Sequence, residues 1–459
     1  MTGAPLGQLP IRAFEAGVKR RGTFRYWREL DRSQWLRRDE LEAIQLQALR
    51  RLVAHAWEHC PYYRDAWRAL GLDPAALSAL DGFRGWPLTD QNTIRANRPA
   101  MRAQVPGMRL ISKATGGSTG IPLELDLDTD SHDRRVAASF RGYSWASAEP
   151  GTRQLHLWGG AVGDLPWRKR LKNRWYERLY RRRVLDCFHF GPDRADEFVA
   201  ELNRYRPNVI VAYTNPLYEF ARVLDESGVR PFSPTSIVVG AEKLHGFQRA
   251  VIERVFRAPV FETYGSREFM LIAAECDRHS GLHVTAEQLL VENLDEDGAP
   301  VPAGAEGNVV ITDLYNYGMP FLRYANGDRA IACAEACPCG RGLPLLREVV
   351  GRRLDVLTTG DGRTIPGEFF PHFFKDFRAI RRFQVEQASA DDIRVRLVLG
   401  PGWSDADSQR VEREVRNLIG PRCRFTVDVV DEIPLTPAGK HRVVVNLCQR
   451  PGWDQESRS

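Results

Sequence analysis

The stretch "VIVAYTNPLYEFARVLDESGVRPFSPTSIVVG", residues 209–240, decides the fold. "VIVAY" (209–213) is an unbroken apolar run of strand length. "LYEFARVLDES" (217–227) has helical spacing, and "SIVVG" (236–240) is a second apolar run. Working outward, "EFVAELNRY" (197–205) reads as helix, "FQRAVIERVF" (247–256) as helix and "PVFETYG" (259–265) as strand. Strands without a polar face, alternating with helices, predict a parallel sheet covered by helices.

The flanks differ from this centre. Residues 39–58, "DELEAIQLQALRRLVAHAWE", place Leu41, Ile44, Leu49, Leu52, Val53 and Ala56 at helical spacing, with Pro61 as the stop. After about residue 355, "RRFQVEQ" and "DIRVRLVLG" alternate with period two, and Ile393, Val395, Leu397 and Leu399 share one face. A helix striped by Val411, Val415 and Leu418 follows, then the strand "RFTVDVV" (424–430). The expected architecture is α/β: a large N-terminal domain of mixed sheets covered by helices (1–354), and a small, mobile C-terminal α+β domain (355–459).

A chain of 459 residues, 43% hydrophobic and 27% charged, has the composition of an ordinary soluble globular protein. Its net charge of +6 is too small to argue for nucleic acid, and no apolar stretch is long enough to span a bilayer. Neither nucleic acid nor a membrane is expected as a partner. Eight cysteines in so long a chain do not suggest a secreted disulfide framework, so a reducing cytoplasm is expected. The segment "RKRLKNRWYERLYRRRVL" (168–185) carries nine basic residues and one acid; it reads as a solvated helix, with an anion-binding patch as the alternative.

Five stretches bear on chemistry. "KATGGSTGIPLEL" (113–125) packs glycines and hydroxyls between Thr115 and Pro122. That composition suits either a hairpin or a loop whose N–H groups converge on an anion. It is not a Walker loop, because Ile121-Pro122 follows Gly120 where Lys-Ser/Thr is required. "ETYGSRE" (262–268) ends on Glu268, a carboxylate suited to a metal. "PFLRYANGDRA" (320–330) places Asp328 where a carboxylate could grip a diol. "VVGRRLD" (349–355) falls at the domain boundary, and "EIPLTPAGKHR" (432–442) puts Lys440 after a glycine near the chain end. Each has a plain alternative as a turn or a solvated loop.

In this order the five stretches resemble the adenylate-forming (acyl-CoA synthetase) superfamily, in its phenylacetate–CoA ligase-like branch with capsule-biosynthesis relatives. "LVAHAWEHCPYYRDAW" (52–67) and "WPLTDQNTIRAN" (86–97) resemble the entry segment of that branch, so the likeness runs from about residue 40 to 445. It implies an enzyme that joins a carboxylate to ATP as an acyl-adenylate, releasing pyrophosphate, and then passes the acyl group to a nucleophile. By the same resemblance Thr115, Gly116, Gly117, Ser118 and Thr119 would hold the departing phosphates, and Glu268 would bind Mg²⁺. Tyr264 and Gly265 would lie at the adenine beside Gly240, Ala241 and Glu242. Asp328 would accept the ribose hydroxyls, with Arg352 beside it. Lys440 would bridge the carboxylate and the α-phosphate, and Asp355 would be the hinge of the small domain. Three positions depart from the pattern. No lysine ends the phosphate loop, Arg267 replaces a small hydroxyl residue and could pair with Glu268, and Asn326 stands where threonine is common.

Cys276 and His283 in "ECDRHSGLHV" and Cys337 and Cys339 in "EACPCGRG" offer four ligands of the kind a closed tetrahedral zinc takes. The alternative is reduced thiols on a turn and a surface histidine, and His279 and Cys333 are substitute ligands. The branch resemblance, whose members carry Cys/His sets in these regions, favours a structural Zn²⁺. The acid pocket is expected around Trp158 and Tyr213, which suit an aromatic or alkyl acid. Coenzyme A is the expected acceptor, an amine the second, and a non-catalytic zinc-stabilised binding protein the reading from another class. A monomer or a homodimer would serve each reading.

Overall fold

The computed structural model describes residues 6–114, 123–158, 166–186, 194–350, 357–365, 367, 369–374, 377, 379–433 and 443–448. The N-terminal third is helical. The helix Arg38–His59 opens on a capping box in which the Glu40 side chain accepts from the Arg37 N–H. Cys60 is extended, and Pro61 does more than stop this helix: it is the first residue of the next, Pro61–Ala69, where its missing N–H costs nothing.

Two short strands, β1 (Leu110–Ala114) and β2 (Glu124–Asp128), form an antiparallel pair. The helix Thr129–Ser144 follows, capped by Asp128 through the Ser131 N–H. Then come β3 (Gln154–Trp158), β4 (Arg182–Asp186), β5 (Val209–Tyr213), β6 (Ser236–Gly240) and β7 (Val260–Ser266). All pair in parallel, in the order β7-β6-β5-β3-β4. Crossover helices Ala195–Tyr205, Thr214–Glu226 and Gly246–Phe256 cover them. β5 and β6 are buried at every position, which is why their sequences show no polar alternation.

The same sheet continues antiparallel beyond β7. β8 (Met270–Glu275), β9 (Leu282–Val284), β10 (Leu289–Leu294), β11 (Glu306–Asp313), β12 (Tyr324–Ala332) and β13 (Leu345–Val349) add six strands in the order β8-β9-β13-β12-β11-β10. Helix Thr129–Ser144 lies close on β8, and a Cβ at Gly142 would meet Leu271 at 2.4 Å. Two buried ion pairs anchor this helix, Arg135 to Asp313 and Arg141 to Glu287. Losing one partner of such a pair strands a buried charge, at a cost of roughly 3–5 kcal/mol.

The C-terminal unit has a hairpin, β14 (Leu357–Thr358) and β15 (Thr364–Ile365), and a four-stranded sheet. The sheet comprises β16 (Ile380–Ser389), β17 (Asp392–Leu399), β18 (Arg424–Val429) and β19 (Val444–Asn446) in the order β18-β17-β16-β19. Ile393, Val395 and Leu397 are buried as the alternation implied. On helix Asp405–Ile419, Ile419 is buried with Val411 and Val415, and Leu418 is only half-buried.

Two readings are corrected. Residues 168–185 are not one helix: the helix Trp167–Leu179 ends before β4, because Arg182, Arg183 and Val184 pair with β3 at the sheet edge. The boundary at 354/355 and the hinge Asp355 lie outside the described residues, as do Thr115, Gly116, Gly117, Ser118, Thr119, Arg352 and Lys440.

Candidate functional site

In a parallel sheet, ligands bind at the carboxyl ends of the strands. Here β3 ends on Trp158, β5 on Tyr213 and β6 on Gly240, and β7 runs on through Tyr264 to Ser266. Trp158 and Tyr213 meet with ring centroids 4.3 Å apart. At Gly240 a Cβ would stand 2.5 Å from Thr263 Oγ1, so only glycine lets the β6 end approach β7 this closely. Ala241 follows in the left-handed region (φ 69°), uncommon without glycine, and Thr214 Oγ1 donates to the Glu242 carbonyl at 3.0 Å. The turn predicted to border adenine is therefore held in one unusual shape.

Tyr264 and Asp328, 64 residues apart, are in direct contact: the phenol donates to Asp328 Oδ2 at 2.7 Å. Asn326 Nδ2 donates to both the Tyr264 oxygen and Asp328 Oδ2, each at 2.7 Å, while the Asp328 N–H donates back to Asn326 Oδ1 at 3.0 Å. Asn326 is 1% exposed. Threonine has no second donor with which to reach both partners, so the departure noted from sequence has a structural use.

Glu268 is buried, and Tyr324 donates to its Oε1 at 3.3 Å. Arg135 holds the Glu268 carbonyl and also Asp313, with Nε 3.1 Å from Oδ2. Arg267 is exposed, and among the described residues no ion pair joins it to Glu268. One buried carboxylate suits Mg²⁺ accompanying a polyphosphate, because that ion keeps waters and phosphate oxygens as its other ligands. At Gly265 a Cβ would meet the Met270 carbonyl at 2.1 Å, so glycine permits the sharp return towards β8.

Lys113 was not singled out from sequence. It is half-buried on β1, two residues before the segment 115–122, with Nζ 3.4 Å from His132 Nδ1 and 3.9 Å from Met270 Sδ. Burial, then Arg135, Arg267 and Arg21, lowers its pKa to about 8. A cation crowded by cations gains by meeting an anion. Glu262 was also missed. Burial, reinforced by Glu275, raises its carboxyl to about 7, against the Leu244 N–H that donates to it at 3.2 Å and the cations Arg249 and Lys243. Neither had a local signal, since their neighbours come from distant strands and helices.

The Cys/His set does assemble. β9 pairs with β13, placing His283 opposite Leu345, and this brings the turn after β8 against the loop between β12 and β13. The ligand atoms of Cys276, His283, Cys337 and Cys339 all lie within 4.8 Å of one another. Cys276 and Cys337 sulfurs are 3.7 Å apart, and Cys339 Sγ is 3.3 Å from His283 Nε2. A tetrahedral zinc with bonds of about 2.3 Å needs sulfur–sulfur edges of about 3.8 Å, so the set fits. His279 instead pairs with Glu275 at 3.2 Å and Cys333 with Glu335 at 3.1 Å, and neither joins the cluster.

Sheet order and C-terminal unit define the class: the chain has the fold of adenylate-forming CoA ligases. Its fold matches that of a 2-hydroxyisobutyryl-CoA ligase solved with an acyl-adenylate and CoA (TM-score 0.61, 20% identity, 91% of this chain and 92% of the other). The chain is homologous to the phenylacetate-coenzyme A ligases and to CapK. It is 24% identical to the phenylacetate-coenzyme A ligase of Thermus thermophilus, over 90% of this chain and 98% of the relative. To Protein CapK of Staphylococcus aureus it is 22% identical, over 94% of each. Residues 357–447 match the family described as the CapK C-terminal domain.

Proposed function

We propose that this protein is an ATP-dependent, AMP-forming acid–thiol ligase that activates an organic acid as its acyl-adenylate and transfers the acyl group to coenzyme A. The observation that carries the reading is the hydrogen-bonded set Tyr264, Asn326 and Asp328 at the carboxyl end of β7, with the buried carboxylate of Glu268 in the turn that follows that strand. The homologous phenylacetate-coenzyme A ligases support the thioester as product.

In the first step a carboxylate oxygen attacks the α-phosphorus of ATP and the bond to pyrophosphate breaks. Both reactants are anions, so alignment and charge neutralisation set the rate. Asp328, oriented by Asn326 and Tyr264, would hold the ribose diol. The turn Gly240–Ala241–Glu242 would border the adenine. Glu268 would hold the Mg²⁺ that travels with ATP, which when bound neutralises the departing diphosphate. Lys113 would face the same phosphates, supplying the cation that the loop lacks at Ile121, and Thr115 to Thr119 would cradle them. Lys440 would bridge the carboxylate and the α-phosphate. In the second step the CoA thiol loses its proton and its sulfur attacks the acyl carbon, expelling AMP. Trp158 and Tyr213 would give an aromatic or alkyl acid a flat apolar wall. The Cys276, His283, Cys337 and Cys339 set would hold one structural zinc, its four protein ligands leaving no open position for catalysis.

AMP release with the activated acid, measured with CoA and separately with amines, tests the acceptor. Sustained release only with CoA is expected; sustained release only with an amine would replace the thioester by an amide.

A further inference from the structure

The helix Trp167–Leu179 takes no part in the proposed chemistry and has no buried residue. Trp167, Leu171 and Trp175 follow one another at four-residue intervals, so they rise along one line of the helix, about 6 Å apart. They are 63%, 60% and 49% exposed. A solvated helix has no use for such a stripe, and a core helix would bury it.

The charges around the stripe are equally one-sided. Arg168, Lys169, Arg170, Lys172, Arg174 and Arg178 give this helix six cations against one acid. That acid, Glu177, is half-buried and lies far round the helix from the stripe. The Arg168 guanidinium lies 5.4 Å over the Trp167 ring, leaving its charge beside the apolar line. The N-terminal segment continues the pattern: Phe14 packs on Trp175 at 4.9 Å, Lys19 lies over Phe14 and Tyr176, and Val18 is 71% exposed.

We propose that this helix is a peripheral docking surface for an anionic phospholipid bilayer, with Trp167, Leu171 and Trp175 entering the boundary between headgroups and acyl chains and the flanking arginines and lysines pairing with lipid phosphates. Amphipathic aromatic rings and long cationic side chains both favour that boundary. The charge complementarity specifies anionic rather than neutral lipid. The apolar line favours lipid over nucleic acid, because pairing with a phosphate backbone needs the cations and gives Leu171 nothing to do. The expectation that no membrane is a partner rested on the lack of a spanning segment, and adsorption needs none.

The test is flotation of the full-length protein with phosphatidylcholine vesicles, with and without about 30 mol % phosphatidylglycerol. The protein should float with anionic vesicles only, and rising salt should release it. The double variant W167S/L171S keeps every charge and should lose binding by roughly tenfold or more, with an unchanged melting temperature and pyrophosphate release. Equal flotation with neutral vesicles, none with anionic ones, or full retention by W167S/L171S would overturn the proposal. So would tighter binding of an RNA oligonucleotide that W167S/L171S leaves intact, which would assign the surface to nucleic acid.

Discussion

The two constellations on the large sheet differ in ligand chemistry and in placement. The Cys276, His283, Cys337 and Cys339 cluster is closed: four ligand atoms face one another from two adjoining segments, three of the four residues are buried, and no substrate could reach the centre. Glu268 and Asp328 lie instead beside the carboxyl end of β7, the end of a parallel sheet at which ligands bind. Both carboxylates are oriented by hydrogen bonds, Glu268 from Tyr324 and Asp328 from Tyr264 and Asn326. Four soft ligands facing one another suit a part that ties loops together; hydrogen-bonded carboxylates at the strand ends suit a part that binds and releases.

The largest effect should come from Glu268→Gln. Without the negative charge, acid-dependent pyrophosphate release should fall by about 100-fold or more while the melting temperature moves little. A large loss of stability with modest loss of rate would make Glu268 a structural residue and erase the contrast.

Cys337→Ser should behave the opposite way. Metal analysis should fall from about one zinc per chain to none, and the melting temperature by on the order of 5–10 °C, with the residual folded enzyme still turning over. An unchanged melting temperature, with no zinc in the wild type, would break the assignment of the closed cluster.

The smallest effect sharpens the boundary between the two. Glu262, between them on β7, has its carboxyl raised to about 7 from an ordinary value of 4.5, mainly by burial. The folded state holds that proton more tightly than the unfolded one. Its stabilisation is fully present below about pH 4.5 and is lost as pH rises through about 7. Relative to Glu262→Gln, the wild type should lose roughly 1–3 °C of melting temperature between pH 5 and pH 8. Parallel pH profiles for the two proteins would contradict it.

The same contrast explains what could be read from sequence. The strands β5 and β6 and their helices were legible because burial on both faces leaves an unbroken apolar run. Glu268, Asp328 and the Cys/His set sit in short segments that can be picked out by composition. The roles proposed for them come from the order of those segments and the family resemblance, because each segment alone reads equally as a turn or loop. Arg135 offered no such sign: its worth lies in contacts with Asp313 and the Glu268 carbonyl, 178 and 133 residues away. Lys113 is likewise ordinary in sequence, and Asn326, visible there only as a departure from the family pattern, acquires its meaning from Tyr264 and Asp328. The basic run 168–185 misled in a further way, since its charge concealed the boundary between a helix and an edge strand.

The central claim is that the site at Glu268 and Asp328 activates a carboxylic acid with ATP. Acid-dependent exchange of labelled pyrophosphate into ATP tests it most directly, with Mg²⁺ and a panel of aromatic, aliphatic and amino acids. The account predicts exchange that depends on one acid class, needs no CoA and disappears in Glu268→Gln. Exchange absent across the panel, in a folded protein that does not bind ATP, would contradict it.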